Sequence, residues 1–294
     1  MLRINRLCYH QSNYSIDDIN INIKEGESVG IVGESGSGKS TIGKVLGAVI
    51  NKSEMDTFQL STFSAALFFK HCSLSNIDIL STSQKNIRVY HKDVQYIFQN
   101  HRAALNLTES VYTTLRDALV LGYGNKNRSF IYDKLKLLAS EIGLIQPYYG
   151  EQKNFFSHNP IFRKNNGQLS GGQMKRVSIL KTFCINPTVI IADEPLTGLD
   201  ASKKGQILQF IKNAQLNVGD GKKKLTTVMI SHDLTMIKNN CDKIYVMYGD
   251  EDKSKGRLVK QIYSPQTLDI SSNIQHDNYT QKMLEASAYF TSGY

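Results

Sequence analysis

Tryptophan is absent from this chain, and cysteine and proline are scarce, with four and five copies among 294 residues. The four cysteines are scattered, with no C-x-x-C pair and no histidine at metal-ligand spacing: Cys8, Cys72, Cys184 and Cys241. Such spacing argues against a disulfide framework and against a zinc site. It indicates reduced thiols in a cytosolic protein.

Long apolar runs are also missing, because no stretch approaches the ~20 residues that a membrane helix needs. Residues 1–6 contain no apolar signal core. We therefore expect a chain that does not span a membrane and that reaches one only through a partner.

The composition is that of a folded, basic protein. Hydrophobic residues make up 40% of the chain, which is enough for one large domain, and charged residues make up 21%. The formal net charge of +9 fits contact with an acidic partner such as a nucleotide, a nucleic acid or an anionic membrane face. A solvated basic surface accounts for the charge equally well.

Hydrophobic patterning predicts an α/β domain. Residues 19–23 alternate apolar and polar side chains, as in a half-buried strand, and residues 29–32 form a short buried strand. A glycine-rich loop and a helix from about Lys39 to Val49 follow. The order of strand, loop and helix is typical of a parallel sheet.

Three further buried strands are predicted over residues 188–192, 226–230 and 243–248. Polar side chains at their carboxyl ends indicate one site along a sheet edge. Residues 51–92 give no clear pattern, and residues 102–164 have helical patches.

The loop over residues 33–40 matches the phosphate-binding pattern G-x-x-x-x-G-K-[ST] in full. Its backbone N–H groups would surround phosphate oxygens, Lys39 would reach the β- and γ-phosphates, and Ser40 would ligate magnesium. An ordinary glycine-rich turn is the alternative, disfavoured by the position between a strand and a helix. The predicted nucleotide-binding residues here are Gly33, Ser35, Gly36, Ser37, Gly38, Lys39, Ser40 and Thr41.

Two carboxylates, Asp193 and Glu194, end the strand at residues 188–192. Asp193 would hold the magnesium ion, and Glu194 would polarise the attacking water or accept its proton. Strands often end in acids, so this signal gains its meaning from the phosphate loop.

The string Leu-Ser-Gly-Gly-Gln at residues 169–173 allows two interpretations. Ser170 and Gln173 fit a helix capping box. Gly171 and Gly172 are poor helix formers, however, and they leave a helix N-terminus open to an anion. The second interpretation is a further phosphate contact made by Ser170, Gly171, Gly172 and Gln173.

With these motifs in this order, the chain resembles the nucleotide-binding subunit of the ATP-binding cassette (ABC) transporter family. The resemblance adds Gln99, Asp200 and the switch histidine His232. It implies a P-loop NTPase core with a mainly parallel sheet, an antiparallel β subdomain and an α-helical signature subdomain. The chain would be a single ABC ATPase domain, with its core at about 1–100 and 180–250, its helical subdomain at about 101–179 and its tail at about 251–294.

The resemblance also implies roles. Two subunits would sandwich ATP and Mg²⁺ head to tail, with the signature of one subunit touching the γ-phosphate held by the other. Glu194, His232 and Gln99 would be catalytic, and Ser40, Gln99 and Asp193 would hold the metal. Tyr9 and Tyr14 precede the first predicted sheet pair, where the family places an aromatic ring that stacks on adenine. Tyr9 is preferred because of its distance in sequence ahead of the strand that begins at residues 18–20, although either ring could instead belong to the hydrophobic core. His232 alone would also fit a strand-end histidine.

Residues 94–100, 104–106 and 244–248 resemble the oligopeptide, dipeptide and nickel importer branch of the family. The chain departs from that branch at Leu107, where proline is usual, and at Gly167-Gln168, where a proline and an acid are common. Residues 156–166 look inserted. The branch implies a second ABC ATPase subunit in a heterodimer, two membrane permeases and an extracytoplasmic solute-binding protein, with the chain peripheral on the cytoplasmic face of the cell membrane.

Other members of the same family remain as alternatives. A non-transport ABC ATPase acting on ribosomes or DNA would suit the basic charge, but the chain shows one cassette and no sustained heptad run, so nucleic acid is not the expected partner. An exporter cassette is disfavoured by the importer-like stretches. A non-catalytic regulatory cassette is disfavoured because Glu194 and His232 are both present.

Overall fold

The structure is a computed structural model that describes residues 2–11, 14–49, 84–147, 155–216, 224–249, 255–263 and 280–285. The chain forms two compact units. The first contains Met1–His91, Ile191–Glu194 and Thr226–Tyr294, and the second contains Lys92–Ile190 and Pro195–Leu225. This division by compactness does not test the predicted core and helical subdomain, which stay a prediction.

A mixed sheet forms the first unit. Strand β3 runs parallel to β6 and β7, β2 runs parallel to β8, and the pairs β1–β2 and β7–β8 are antiparallel. The order of these strands is β1-β2-β8-β7-β3-β6, followed by β5. Their bounds are β1 Leu2–Gln11, β2 Tyr14–Ile23, β3 Ser28–Gly33, β5 Val189–Asp193, β6 Thr226–Ser231, β7 Lys243–Gly249 and β8 Lys255–Tyr263. The predicted α/β fold is confirmed.

Side-chain alternation explains the position of β2. Ile19, Ile21 and Ile23 are buried, whereas Asn20 and Asn22 are exposed, as a strand with one solvated face requires. Strands β3 and β6 are buried along their whole length, which matches the apolar residues at the centre of each.

Helix α1 follows the glycine-rich loop and covers Lys39–Leu46, so it ends three residues before the predicted Val49. Gly47 still donates its N–H to Gly43 O in the helical pattern, and the helix stops because Ala48 takes a left-handed backbone with φ 50°. Helix α2, Gln84–Asp93, contacts this end of α1. Tyr90 donates its hydroxyl hydrogen to Leu46 O, satisfying a carbonyl that a helix end leaves without a partner.

The second unit is mainly helical. Its single described strand, β4, lies beside the start of β5, where the N–H of Thr188 donates to Asp93 O at 2.8 Å. The last three residues of β5 belong to the first unit. The elements are β4 Val94–Ile97, α3 Val111–Tyr123, α4 Arg128–Glu141, α5 Phe155–His158, α6 Gly171–Cys184 and α7 Ala201–Leu216. Helix α8, Leu234–Asn240, belongs to the first unit.

The segment that looks inserted in the sequence, residues 156–166, contributes Phe162 to an aromatic core of the second unit. Phe155 and Phe162 are buried, with ring centroids 5.2 Å apart, and Tyr132 meets Phe155 edge-on at 4.9 Å. Two short 3-10 turns, Pro160–Arg163 and Asn166–Gln168, lead from this cluster to α6. Across the described residues, no helix is long and apolar enough to cross a membrane.

Candidate active site

The loop between β3 and α1 is built on glycine. Gly33 has φ 154°, and a Cβ at this position would lie 1.9 Å from Met247 O, so no other residue fits. Gly38 has φ 96° and precedes α1 without any side-chain cap. The first N–H groups of α1 are therefore left for an external acceptor such as a phosphate.

Lys39 lies across this loop. Its Nζ donates to Gly33 O at 2.9 Å and to Glu34 O at 2.6 Å. Burial lowers the pKa of Lys39, and the charges of Glu194, Asp193 and Glu34 partly oppose that shift. The ammonium is thus fixed over the loop and lies within electrostatic reach of both carboxylates at the end of β5.

Ser37 strengthens the match to a phosphate. Its Oγ is buried and has no hydrogen-bond partner within the described part of the chain. Ser35 and Gly36 form the exposed crest of the loop, and Thr41 is half-buried at the start of α1. A buried hydroxyl, a lysine ammonium and open N–H groups together suit a polyphosphate.

Ser40 and Asp193 meet beneath the loop. The Ser40 hydroxyl donates to Asp193 Oδ1 at 3.0 Å, and Asp193 is buried. A hydroxyl and a carboxylate are ligands that Mg²⁺ prefers, and the ion usually completes its shell with phosphate and water oxygens. Ser40 and Asp193 therefore fit a magnesium ion whose other ligands come from a nucleotide and water.

Glu194 and His232 form the second pair at the strand tips. Glu194 Oε1 accepts the backbone N–H of His232 at 3.0 Å and lies 2.7 Å from His232 Nδ1. The Ser231 hydroxyl donates to Oε2 at 3.4 Å. The Glu194 side chain is 13% exposed and that of His232 is 68% exposed. The carboxylate is therefore held in place, while the imidazole faces solvent.

The backbone of Glu194 is unusual. Its φ is 48°, a left-handed conformation, and its N–H donates to Ile230 O at 2.9 Å. A non-glycine residue in this region costs about 1 kcal/mol or more. The bond to β6 stabilises the conformation and aims the carboxylate at His232.

The signature string begins α6 in the second unit. Ser170 Oγ accepts the N–H of Gln173 at 3.3 Å, and Gln173 Oε1 accepts the N–H of Ser170 at 3.1 Å. The capping box is therefore present. A Cβ at Gly171 would meet no atom within 4 Å, and one at Gly172 would meet only Leu199 Cδ2 at 3.9 Å. Packing within the chain therefore requires neither glycine.

Two buried residues of the second unit are not apparent from the sequence. Both ring nitrogens of His101 are buried without a hydrogen-bond partner in the described residues. Burial, helped by the charge of Lys175, lowers the pKa of His101 to about 4. Lys175, 4% exposed in α6, donates from Nζ to Thr197 O at 2.5 Å. Nothing in the pattern of α6 distinguishes Lys175 from the ordinary charged residues around it.

The predicted site residues are divided between the two units. Residues 33–41, Asp193, Glu194 and His232 all lie in the first unit. Gln99, exposed just after β4, and residues 170–173 lie in the second. The loop after Glu194 ends at Asp200, whose Oδ1 accepts the N–H of Lys203 at the start of α7 at 3.0 Å.

The placement of the two tyrosines needs a correction. Tyr9 lies within β1, paired with Ile16, and Tyr14 is the first residue of β2, so neither precedes the first sheet pair. The alternation that marks residues 19–23 covers only the second half of β2, which hid the earlier start of the strand. The side chains of Tyr9 and Tyr14 lie outside the described part of the structure, so the choice of Tyr9 for adenine stays a prediction.

Comparison with known proteins gives consistent results. A family profile described as ABC transporter matches residues 16–197. The oligopeptide transport ATP-binding protein OppF of Lactococcus lactis is 32% identical, over 92% of this chain and 72% of the relative. The dipeptide transport ATP-binding protein DppF of Escherichia coli is 29% identical, over 93% and 69%.

Solved structures support the fold. The ATP-binding cassette MJ0796, in a dimeric post-hydrolysis state bound to ADP and Pi, has a TM-score of 0.66 at 22% identity, covering 90% of this chain and 99% of that one. The protein cbiO1 of Clostridium perfringens, part of the ABC transporter complex cbiONQ, has a TM-score of 0.64 at 24% identity, covering 91% and 89%. The family match, the curated relatives and the phosphate loop agree, and the chain belongs to the ABC transporter family as an ATP-hydrolysing cassette.

Proposed function

We propose that this chain is the MgATP-hydrolysing subunit that energises a peptide importer. The observation that carries the proposal is that two side-chain pairs, Ser40 with Asp193 and Glu194 with His232, lie in the same unit as the loop that holds Lys39. Relatives named for oligopeptide and dipeptide transport resemble the chain over about nine tenths of its length, which favours peptides as cargo. A nickel or other metal chelate is the second cargo class that the sequence resemblance allows.

Each residue then has a chemical task. The loop N–H groups and Lys39 bind the β- and γ-phosphates, and Ser40 and Asp193 hold the Mg²⁺ ion, which neutralises phosphate charge when bound. Glu194 orients a water molecule for in-line attack on the γ-phosphorus and accepts its proton as the bond to the ADP oxygen breaks. His232 keeps the Glu194 carboxylate in position and presents its ring to the γ-phosphate side. The family resemblance assigns Gln99 a further contact to the metal and the attacking water, which this chain would make when both are bound.

The signature serves a second nucleotide. There is open space beside Gly171 and Gly172, and Ser170 caps the helix. The start of α6 can therefore approach the γ-phosphate held by a partner cassette. The proposed assembly is a head-to-tail heterodimer with a second ABC ATPase, two membrane permeases and an extracytoplasmic solute-binding protein. The chain would sit peripherally at the cytoplasmic face of the membrane.

Replacement of Glu194 by Gln tests the catalytic assignment. The full chain, purified with its native partners, should lose MgATP turnover by about 10²-fold or more, because the amide cannot accept the proton. The matched control is Glu25→Gln, at an exposed turn position. Equal turnover in wild type and Glu194→Gln would overturn the role of Glu194.

The transport assignment has a separate test. Tagged Glu194→Gln protein is recovered from native membranes with MgATP, and co-purifying proteins are identified by mass spectrometry. Two permeases, a second ATPase and a solute-binding protein are the expected result. Ribosomal or DNA-bound proteins without permeases would refute the importer and favour a non-transport cassette, whereas permeases without a solute-binding protein would indicate an exporter.

A further inference from the structure

Two departures from the importer branch lie in contact with each other. Gly167 donates its N–H to Leu107 O at 2.9 Å. A Cβ at Gly167 would lie 3.0 Å from the same oxygen, and a proline there would have no N–H to donate. This hydrogen bond therefore needs a residue other than proline at position 167, and glycine leaves the most room for it.

This bond belongs to a longer set of contacts, which we call the clasp, between residues 106–111 and residues 164–168. Asn166 donates its N–H to Glu109 O at 2.9 Å, and Val111 donates its N–H to Lys164 O at 2.9 Å. Ser110 and Asn165 form an isolated antiparallel bridge between these two bonds. Backbone hydrogen bonds therefore join two segments that are more than fifty residues apart in sequence.

Asn166 closes the clasp with its side chain. It is 0% exposed, and its Nδ2 donates to Asn106 O at 2.9 Å and to Thr114 Oγ1 at 2.8 Å. Thr114 in turn donates to Glu109 Oε2 at 2.8 Å. Both hydrogens of this buried amide are in use, while its Oδ1 is buried without a partner among the described residues. A shift of the clasp would therefore leave a buried donor unpaired as well.

The clasp lies between two proposed site elements of the second unit. Gln99 precedes residues 106–111, and Ser170 follows residues 164–168 almost directly. We propose that Asn166 is a positioning residue, which fixes the entry to the signature against the segment after Gln99 and so presents Ser170 in register with Gln99. The inference rests on the proposed roles of Gln99 and Ser170.

The substitution Asn166→Asp tests this, because it keeps the shape of the side chain and removes both donors. We expect kcat for MgATP to fall about tenfold, with KM changed less than about twofold, since the signature acts only when the site closes and the phosphate loop is untouched. The control is Lys164→Ala, because Lys164 is exposed and contributes only its backbone carbonyl. If Asn166→Asp fails to fold, Gly167→Ala, which crowds Leu107 O, should lower kcat in the same way.

A double-mutant cycle with Gln99→Ala separates coupling from general destabilisation. Non-additive effects on kcat are expected, because the clasp links the two positions. Additive effects, or a kcat for Asn166→Asp equal to that of Lys164→Ala, would overturn the inference.

Hydrogen exchange needs no enzymatic activity and keeps the inference distinct from the proposed function. The amides of Gln173 and Met174 in the first turn of α6 should exchange at least about fivefold faster in Asn166→Asp than in Lys164→Ala. Equal exchange would refute the positioning role even if ATP hydrolysis is confirmed. Faster exchange would support it even if Glu194→Gln leaves turnover unchanged.

Discussion

Replacement of Gly171 by Ala should make this protein more stable and less active. A methyl group at that position would meet no atom of the described residues within 4 Å, and the residue is helical. Alanine is favoured over glycine in helices by about 0.5–1 kcal/mol, which corresponds to a rise in melting temperature of about 1–3 °C for a chain of this size. Turnover should fall by about 10²-fold, because the methyl group occupies the approach of the partner's γ-phosphate.

The matched control is Gly205→Ala. Gly205 lies within α7, is exposed, and also has open space around a Cβ. Thermal unfolding and steady-state MgATP hydrolysis are measured for both variants. Both should gain stability, and only Gly171→Ala should lose turnover. A Gly171→Ala enzyme with the turnover of wild type would refute the reasoning that an external group needs the space beside Gly171.

Two other changes probe the second unit. Lys175→Met removes the donor to Thr197 O, and we expect turnover to fall about tenfold because the loop that leads to Asp200 loses this support. The free energy of unfolding should change by less than about 1 kcal/mol, because a buried cation is costly to keep. Unchanged turnover would show that the loop is held by other contacts. The pKa of His101 is lowered from 6.5 to about 4. Between pH 6.5 and about pH 4, the unfolded chain therefore binds a proton at His101 that the folded chain does not. The free energy of unfolding should fall as the pH drops through this range. Urea unfolding at about pH 7 and about pH 5 should show a smaller loss for His101→Asn than for wild type; an equal loss would rule out His101 as its source.

Residues whose backbone or chemistry is fixed by local sequence could be predicted. The phosphate loop, the acids at the end of β5 and the capping box at Ser170 each depend on a short string, and each lies where that string predicts. The predicted end of α1 was wrong by three residues, because alanine at position 48 gives no sign of the left-handed backbone that ends the helix.

Residues that act through distant partners could not be predicted. Asn166 contacts Asn106 and Thr114, which are fifty or more residues away, and Lys175 reaches Thr197 across a loop. No local periodicity encodes such pairs, because their partners are chosen by tertiary packing. The two departures at Leu107 and Gly167 are visible in the sequence, but their contact appears only in three dimensions.

The left-handed backbone of Glu194 bears on how such a cassette can lose its activity during evolution. Glycine and asparagine tolerate this conformation better than glutamate does, so replacing Glu194 by either would relieve local strain. In a cassette that no longer needs to hydrolyse ATP, this relief of strain would offset part of the cost of losing the hydrogen bonds between the carboxylate, Ser231 and His232. The backbone at this position therefore lowers the stability cost of losing the catalytic carboxylate, and Glu194 is kept at the expense of local strain.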